Sequence, residues 1–291
     1  MSAPAALAPS IGRRAASLGR QLLRHPGIVV GGTMLLVVVF FAVFADLLWT
    51  VDPLRIQPRA RLRPPSEASW FGGDMIGRDV YSRTVHGARV SLTVGLTVAA
   101  ISIAGGLVIG LLAGFVRLFD SIAMRVMDGL MSIPSILLAV ALIALTGASM
   151  ANVITAITIS EIPRVARLTR SVVLSIKERP YVEAAIAVGT RFHHLLLRHV
   201  LPNAAAPLLV QGSYIFASAV LVEAALSFIG AGTPPSSPSW GNIIAEGRAV
   251  FQIAPHIVIF PGIALAMTVL AVNLIGDGLR DAFDPHFVGR I

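Results

Sequence analysis

Apolar residues gather into six runs along this chain, at about residues 27–49, 90–116, 122–146, 150–171, 204–228 and 255–276. Each approaches the roughly twenty residues that a helix needs to cross ~30 Å of hydrocarbon, so the pattern predicts an all-α membrane protein with six transmembrane helices. Glu161 and Pro163 interrupt the fourth run and Arg164 and Arg167 follow it, which leaves five spans as the fallback. The polar stretches between the runs divide the chain into an N-terminal segment 1–26, a first span 27–49, a loop 50–89, a core 90–276 that contains a polar break 172–203, and a tail 277–291.

Within residues 11–25, Ile11, Ala15, Leu18 and Leu22 fall on one helical face and Arg13, Arg14, Arg20 and Arg24 lie off it, as in a helix lying on an anionic lipid surface. The apolar core of the first run exceeds the 7–15 residues of a signal peptide, so it is expected to stay as a membrane helix. With both termini in the cytoplasm, fifteen Lys and Arg residues fall inside and eight outside, in the sense of the positive-inside rule. Seven of the eight crowd the loop 50–89. Arg55, Arg59, Arg61 and Arg63 there read either as a solvated face or as a contact for another protein.

Composition supports the bilayer. Hydrophobic residues make up 55% of the chain and charged residues 13%, against roughly a quarter charged in soluble domains. The net charge of +8 is spread over loops without interleaved aromatics, which argues against nucleic-acid binding. Cysteine is absent, which excludes disulfides and thiolate chemistry. Lys177 is the only lysine and no glycine loop precedes it, so a P-loop is excluded and any ATP must bind another polypeptide. No paired carboxylates with a nucleophile or zinc-protease motif support an enzyme, and no cofactor or metal is expected in the chain.

The polar break has its own pattern. Pro180 suits the first turn of a helix and Gly189 a left-handed helix end; Thr190 can then cap a second helix that stops near Pro202. His193, His194 and His199 cluster there, but adjacent helical positions diverge by about 100° and no fourth ligand is in register, so a polar helix face is the better reading. Among intramembrane charges, Asp128, Glu161 and Glu223 are candidates for either a solute pathway or structural pairing, because an unpaired charge in hydrocarbon is costly. Pro134 and Pro163 are expected to break or kink their helices. Asp277, Asp281 and Asp284 form an acidic patch without a Ca²⁺-binding loop around it. Asp74 and Asp79 are expected to brace the loop around Gly77-Arg78.

Glu183-Ala184-Ala185, three residues, Gly189, a spacer, and then His199-Val200-Leu201-Pro202 resembles the cytoplasmic coupling loop of bacterial ABC importer permeases. Asp74-Met75-Ile76-Gly77-Arg78-Asp79 through Gly87-Ala88-Arg89-Val90-Ser91-Leu92 is similar to a block of the oligopeptide/dipeptide permease family. Glu223-Ala224-Ala225-Leu226-Ser227-Phe228 with Pro238-Ser239-Trp240-Gly241, and Gly276-Asp277-Gly278-Leu279-Arg280-Asp281 with Asp284-Pro285, are similar to two more. Together they span about residues 70–285 and match the C type of the two permease subunits.

The resemblance implies a type I ABC importer permease in a bacterial inner membrane. It works by alternating access beside a second, homologous permease, two ABC ATPase subunits that bind ATP, and an extracytoplasmic solute-binding protein. Membrane lipid and a small peptide or other solute complete its partners. The coupling loop would act through Glu183, Ala184, Ala185, Gly189, His199, Leu201 and Pro202. Family members also carry nickel complexes and glutathione. An ion-coupled secondary transporter, supported by the broken spans, is the alternative from a different class.

Overall fold

The structure, a computed structural model, describes residues 25–67 and 69–283. The amphipathic stretch 11–25, apart from His25, lies outside the described residues, as do Asp284, Pro285 and Arg290. Ten α-helices organise the described chain: α1 Pro26–Val43, α2 Val80–Phe115, α3 Arg117–Met131, α4 Ser135–Thr146, α5 Met150–Lys177, α6 Pro180–Ala187, α7 Phe192–Leu195, α8 Leu201–Phe228, α9 Trp240–Gly247 and α10 His256–Phe283.

The helices depart from the sequence pattern in several places: α1 ends at Val43 rather than 49, and α10 runs on to Phe283 rather than stopping at 276. α2 begins at Val80, ten residues before its apolar run, because Asp79 caps it: the carboxylate accepts from the Ser82 backbone N–H at 2.8 Å. The polar first turns are then helix, and the loop expected to reach residue 89 stops at Asp79. The run 122–146 is not one helix. α3 and α4 meet at 90° across Ser132-Ile133-Pro134, since Pro134 has no N–H for the ladder and pushes its predecessor out of the helical region. Conversely, Pro163 does not interrupt α5, which runs unbroken for 28 residues from its Ser149 cap.

Among the described residues four helices are long and apolar enough to cross a membrane by themselves, and counting the bent pair α3–α4 as one span makes five. α5 is long enough at ~1.5 Å per residue but carries too many charges to qualify on hydropathy. The chain is a multi-pass, all-helical membrane protein.

The core lies where α2, α4, α5 and α8 meet, around Val94, Val98, Ile143, Val153, Ile157, Leu208, Ile215 and Leu226. α2 and α5 approach closely because Gly106, Gly110 and Gly114 form a stripe at four-residue spacing. A Cβ at Gly110 would lie 2.5 Å from the Ala166 carbonyl oxygen, and one at Gly106 only 2.4 Å from Val165 Cβ. At the end of this seam Lys177 Nζ donates to the Gly114 carbonyl at 3.0 Å.

Candidate functional site

The break between α5 and α8 folds into a knob at the end of the bundle where α2 and α5 finish. Pro180 occupies the first turn of α6, where its missing N–H costs nothing. Gly189 ends the helix at φ 82°; its N–H donates to the Ile186 carbonyl at 2.9 Å and that of Thr190 to Ala185 at 3.0 Å, the paired bonds of a Schellman ending.

The second helix does not stop near Pro202. α7 passes through a π turn, Leu196–Val200, directly into α8, with Pro202 in the first turn of the latter. Proline removes one backbone donor, and the wider turn ahead of it lets the helix continue with its hydrogen bonding re-registered.

The underside of the knob is apolar. Val182, Leu195 and Val200 are buried against Val173 and Ile176 of α5, with Leu111 and Phe115 of α2 beside them. Its outer side exposes Glu183 and Ala184, with Ala185 and Leu201 half-buried and Pro202 exposed. Tyr181, Ile186, Val188 and Leu197 are also exposed, Val188 to 87%, and the half-buried His199 ring sits 5.7 Å from Tyr181. Exposed apolar patches rimmed by polar residues are the kind of surface at which proteins meet. His193 and His194 face apart, their rings 6.3 Å distant at 82°. Among the described residues no group of three or more potential ligands is placed to hold a metal.

The three intramembrane carboxylates have separate fates. Asp128 on α3 is exposed and paired with Arg167 of α5 at 2.5 Å. Glu161, at mid-length in α5, is buried; it accepts from Arg164 at 2.9 Å and lies 3.4 Å from the Ser218 hydroxyl of α8. Glu223 is wholly buried near the far end of α8. Its Oε1 accepts from Ser227 and Ser239 at 2.8 Å and from Thr233 at 3.2 Å, so it ties α8 to the connection leading into α9.

Asp74 braces the loop as the sequence suggested, but sequence reading missed Glu246, the second partner of its arginines. Asp74 accepts from Arg78 Nε at 2.6 Å and from Arg83 at 2.7 Å, and both arginines also pair with Glu246 of α9. Arg89 hydrogen-bonds the carbonyls of Ala42 and Val43 at the end of α1 and pairs with Asp46 at 2.9 Å. Three of the seven crowded arginines are thus structural, whereas Arg55, Arg59, Arg61 and Arg63 are exposed. The G-x-x-x-G-x-x-x-G spacing of Gly106, Gly110 and Gly114 within an apolar run was a legible signal for the α2–α5 seam; Glu246 had none.

Residues 106–289 match the family model described as the inner membrane component of binding-protein-dependent transport systems. Residues 16–65 match the N-terminal transmembrane domain of oligopeptide transport permease C. A probable peptide ABC transporter permease of Sinorhizobium fredii is 54% identical over 263 residues, covering 90% of each chain. The dipeptide transport system permease of Alkalihalophilus pseudofirmus is 40% identical over 267 residues, 91% of this chain and 88% of that one. In structure, the permease chain of an inward-facing MetNI methionine ABC transporter superposes with a TM-score of 0.57 at 20% identity, over 69% of this chain and 97% of its own, a likeness of fold.

Proposed function

The chain belongs to the inner membrane components of binding-protein-dependent transport systems, as an oligopeptide/dipeptide-type C permease subunit of an ABC importer, and on that premise we propose that it moves short peptides, driven by ATPase chains docked on its knob. The knob carries the reading: an exposed apolar patch around Glu183 on a base buried between α2 and α5 is suited to receive a push and pass it into the bundle. The chain itself contributes no catalytic step and holds no cofactor; ATP sits on the ATPase partners. Two ATPases, a second homologous permease and an extracytoplasmic binding protein complete the assembly. Both termini are cytoplasmic, on the knob side, an arrangement supported by the 3.3 Å contact between His25 at the start of α1 and Asp281 near the end of α10. Membership in the importer family sets the secondary transporter aside.

In mechanical terms, ATPase closure displaces the knob, and α5 and α8 carry the displacement through the bundle to open the route on the far side. The test is co-purification of the tagged chain in mild detergent with an ATPase assay, wild type beside Glu183→Arg. Recovery of a second permease and an ATPase, with the variant losing the ATPase or its coupled uptake, is the expected result. Normal uptake by Glu183→Arg would refute the docking assignment.

A further inference from the structure

We infer that the cleft between α1 and α10, in the half of the membrane away from the knob, is a binding site for one acyl chain of a membrane phospholipid. Such a site needs only the membrane-spanning helices and is independent of what is transported.

Glycine draws the two helices together at the end nearer the knob. A Cβ at Gly31 would lie 2.5 Å from the Ala271 carbonyl oxygen, and one at Gly278 would lie 2.5 Å from Ile28 Cγ1. At Gly262, towards the other end of α10, an added Cβ would meet nothing within 4 Å. There the helices leave a cavity of about 230 Å³, with Val37, Val38 and Phe41 on one side and Ile263, Ala264 and Met267 on the other. Val85 and Ala88 of α2 and Trp240 of α9 form its back wall. Its roof is aromatic: Phe71 stacks on Phe260 with ring centroids 3.8 Å apart and meets Tyr81 edge-on at 5.2 Å.

Nothing in the wall calls for water. Among the described residues it contains three hydrogen-bonding side chains, and each donates to a backbone carbonyl: Tyr81 to Leu48 at 3.1 Å, Thr84 to Val80 at 2.7 Å and Trp240 to Thr84 at 3.0 Å. Apolar cavities of this kind stay dry, and one of ~150 Å³ already holds a benzene molecule.

The exposed lining residues locate the mouth. Val37, Phe41 and Ile263 are exposed, all on α1 and α10, whereas Val38, Val85, Ala88 and Trp240 are buried. The opening therefore faces sideways between two membrane spans, into hydrocarbon. A void forfeits dispersion contacts over its whole lining, and the medium at this mouth consists of flexible apolar chains able to restore them. A helix of another subunit, ~10 Å wide, can cover the cleft but not enter it. A bound acyl chain completes the packing beneath Phe71, so the loop between α1 and α2 stands partly on lipid.

The test uses the full complex in nanodiscs containing a phosphatidylcholine with a diazirine in one acyl chain. After irradiation, adducts on this chain are mapped by peptide mass spectrometry. They are expected on Val38, Ala88 and Trp240, which only a chain inside the cleft can reach, as well as on the outward-facing Leu36 and Phe40 of α1. Val37→Trp obstructs the mouth from an exposed position and leaves the core alone; it is expected to abolish the inner adducts and keep those at Leu36 and Phe40. Ala264→Phe fills the cavity itself and is expected to do the same, with Val37→Trp carrying the test where the larger core side chain hinders folding. Adducts confined to Leu36 and Phe40 in the wild type would overturn the site, because lipid then passes over the cleft without entering. Adducts at neither set would overturn it as well, by showing that another subunit covers α1. Inner adducts that survive Val37→Trp would refute entry between α1 and α10.

Discussion

Arg83 and Glu246 are 163 residues apart in sequence, yet Arg83 Nη1 lies 2.6 Å from Glu246 Oε2, and the arginine side chain has no exposed surface. The same guanidinium reaches Asp74 at 2.7 Å, so one buried cation fastens the α1–α2 loop, the start of α2 and the end of α9.

Removing that cation leaves Asp74 and Glu246 to Arg78 alone. Arg83→Ala is expected to destabilise the protein by about 3 kcal/mol, the low end for breaking a buried pair from one side, because Arg78 still faces both carboxylates. Glu246→Gln costs less, because Glu246 is 26% exposed and Asp74 remains to pair with the arginine. Thermal unfolding of the purified complex in detergent, with Arg78→Ala alongside, ranks the three; a loss for Glu246→Gln equal to that for Arg83→Ala would contradict this ordering.

The α2–α5 seam predicts a contrast between two glycines. At Gly110 a methyl group meets backbone and Cβ atoms at 2.5 Å, whereas at Gly32 nothing lies within 4 Å. Gly110→Ala is expected to cost about 1–3 kcal/mol by forcing the helices apart. Gly32→Ala is expected to be neutral. The amount of folded protein recovered in a monodisperse chromatographic peak reads the difference.

Gly189 holds a conformation that a side chain resists by about 1–2 kcal/mol. There is open space around it, so the penalty is backbone strain alone. Gly189→Ala is therefore expected to loosen the end of α6 and lower coupled uptake, and Gly189→Asn to retain more of it, since asparagine tolerates the left-handed region. Equal uptake by the two variants would show that the turn does not control the knob.

Asp46 lies beyond the end of α1, and its hydrogen bonds from Arg89 and His86 hold its carboxyl below the ordinary range. A depressed carboxylate contributes stability that is present above the unfolded-state value and fades as pH falls through the folded one. Asp46→Asn is thus expected to lower the unfolding temperature slightly at neutral pH, with the gap to wild type closing only in strong acid. A gap that is constant with pH would place the effect in packing rather than charge.

The local signals of Pro180, Gly189 and Pro134 were readable from sequence because each acts through its own backbone. A missing N–H and a freely accessible positive φ need no knowledge of distant neighbours. The start of α2 was not readable. Tyr81, Arg83, His86 and Arg89 look like loop residues; Asp79 caps the helix locally, but the carboxylates that pair with these side chains, Asp74, Glu246 and Asp46, lie elsewhere in the chain. Pro202 misled for the opposite reason: a local rule for stopping a helix was overridden by a π turn, which shows itself only in the backbone. The partner of Glu161 on α8 needed three dimensions, since Glu161 and Ser218 meet only once α5 and α8 are packed together.

From His193 to Phe228 the chain forms one helical rod of 36 residues, and a rod transmits tilt as well as thrust. At ~1.5 Å per residue it is about 54 Å long, so a rotation of only about 5° about its middle swings each tip by about 2 Å in opposite directions. One tip belongs to the knob; near the other, Glu223 is bonded through Ser239 to the connection before α9. Such a lever arm makes a displacement no larger than a hydrogen-bond length at one face of the membrane sufficient to break and remake hydrogen bonds at the other, with no intermediate part needing to unfold.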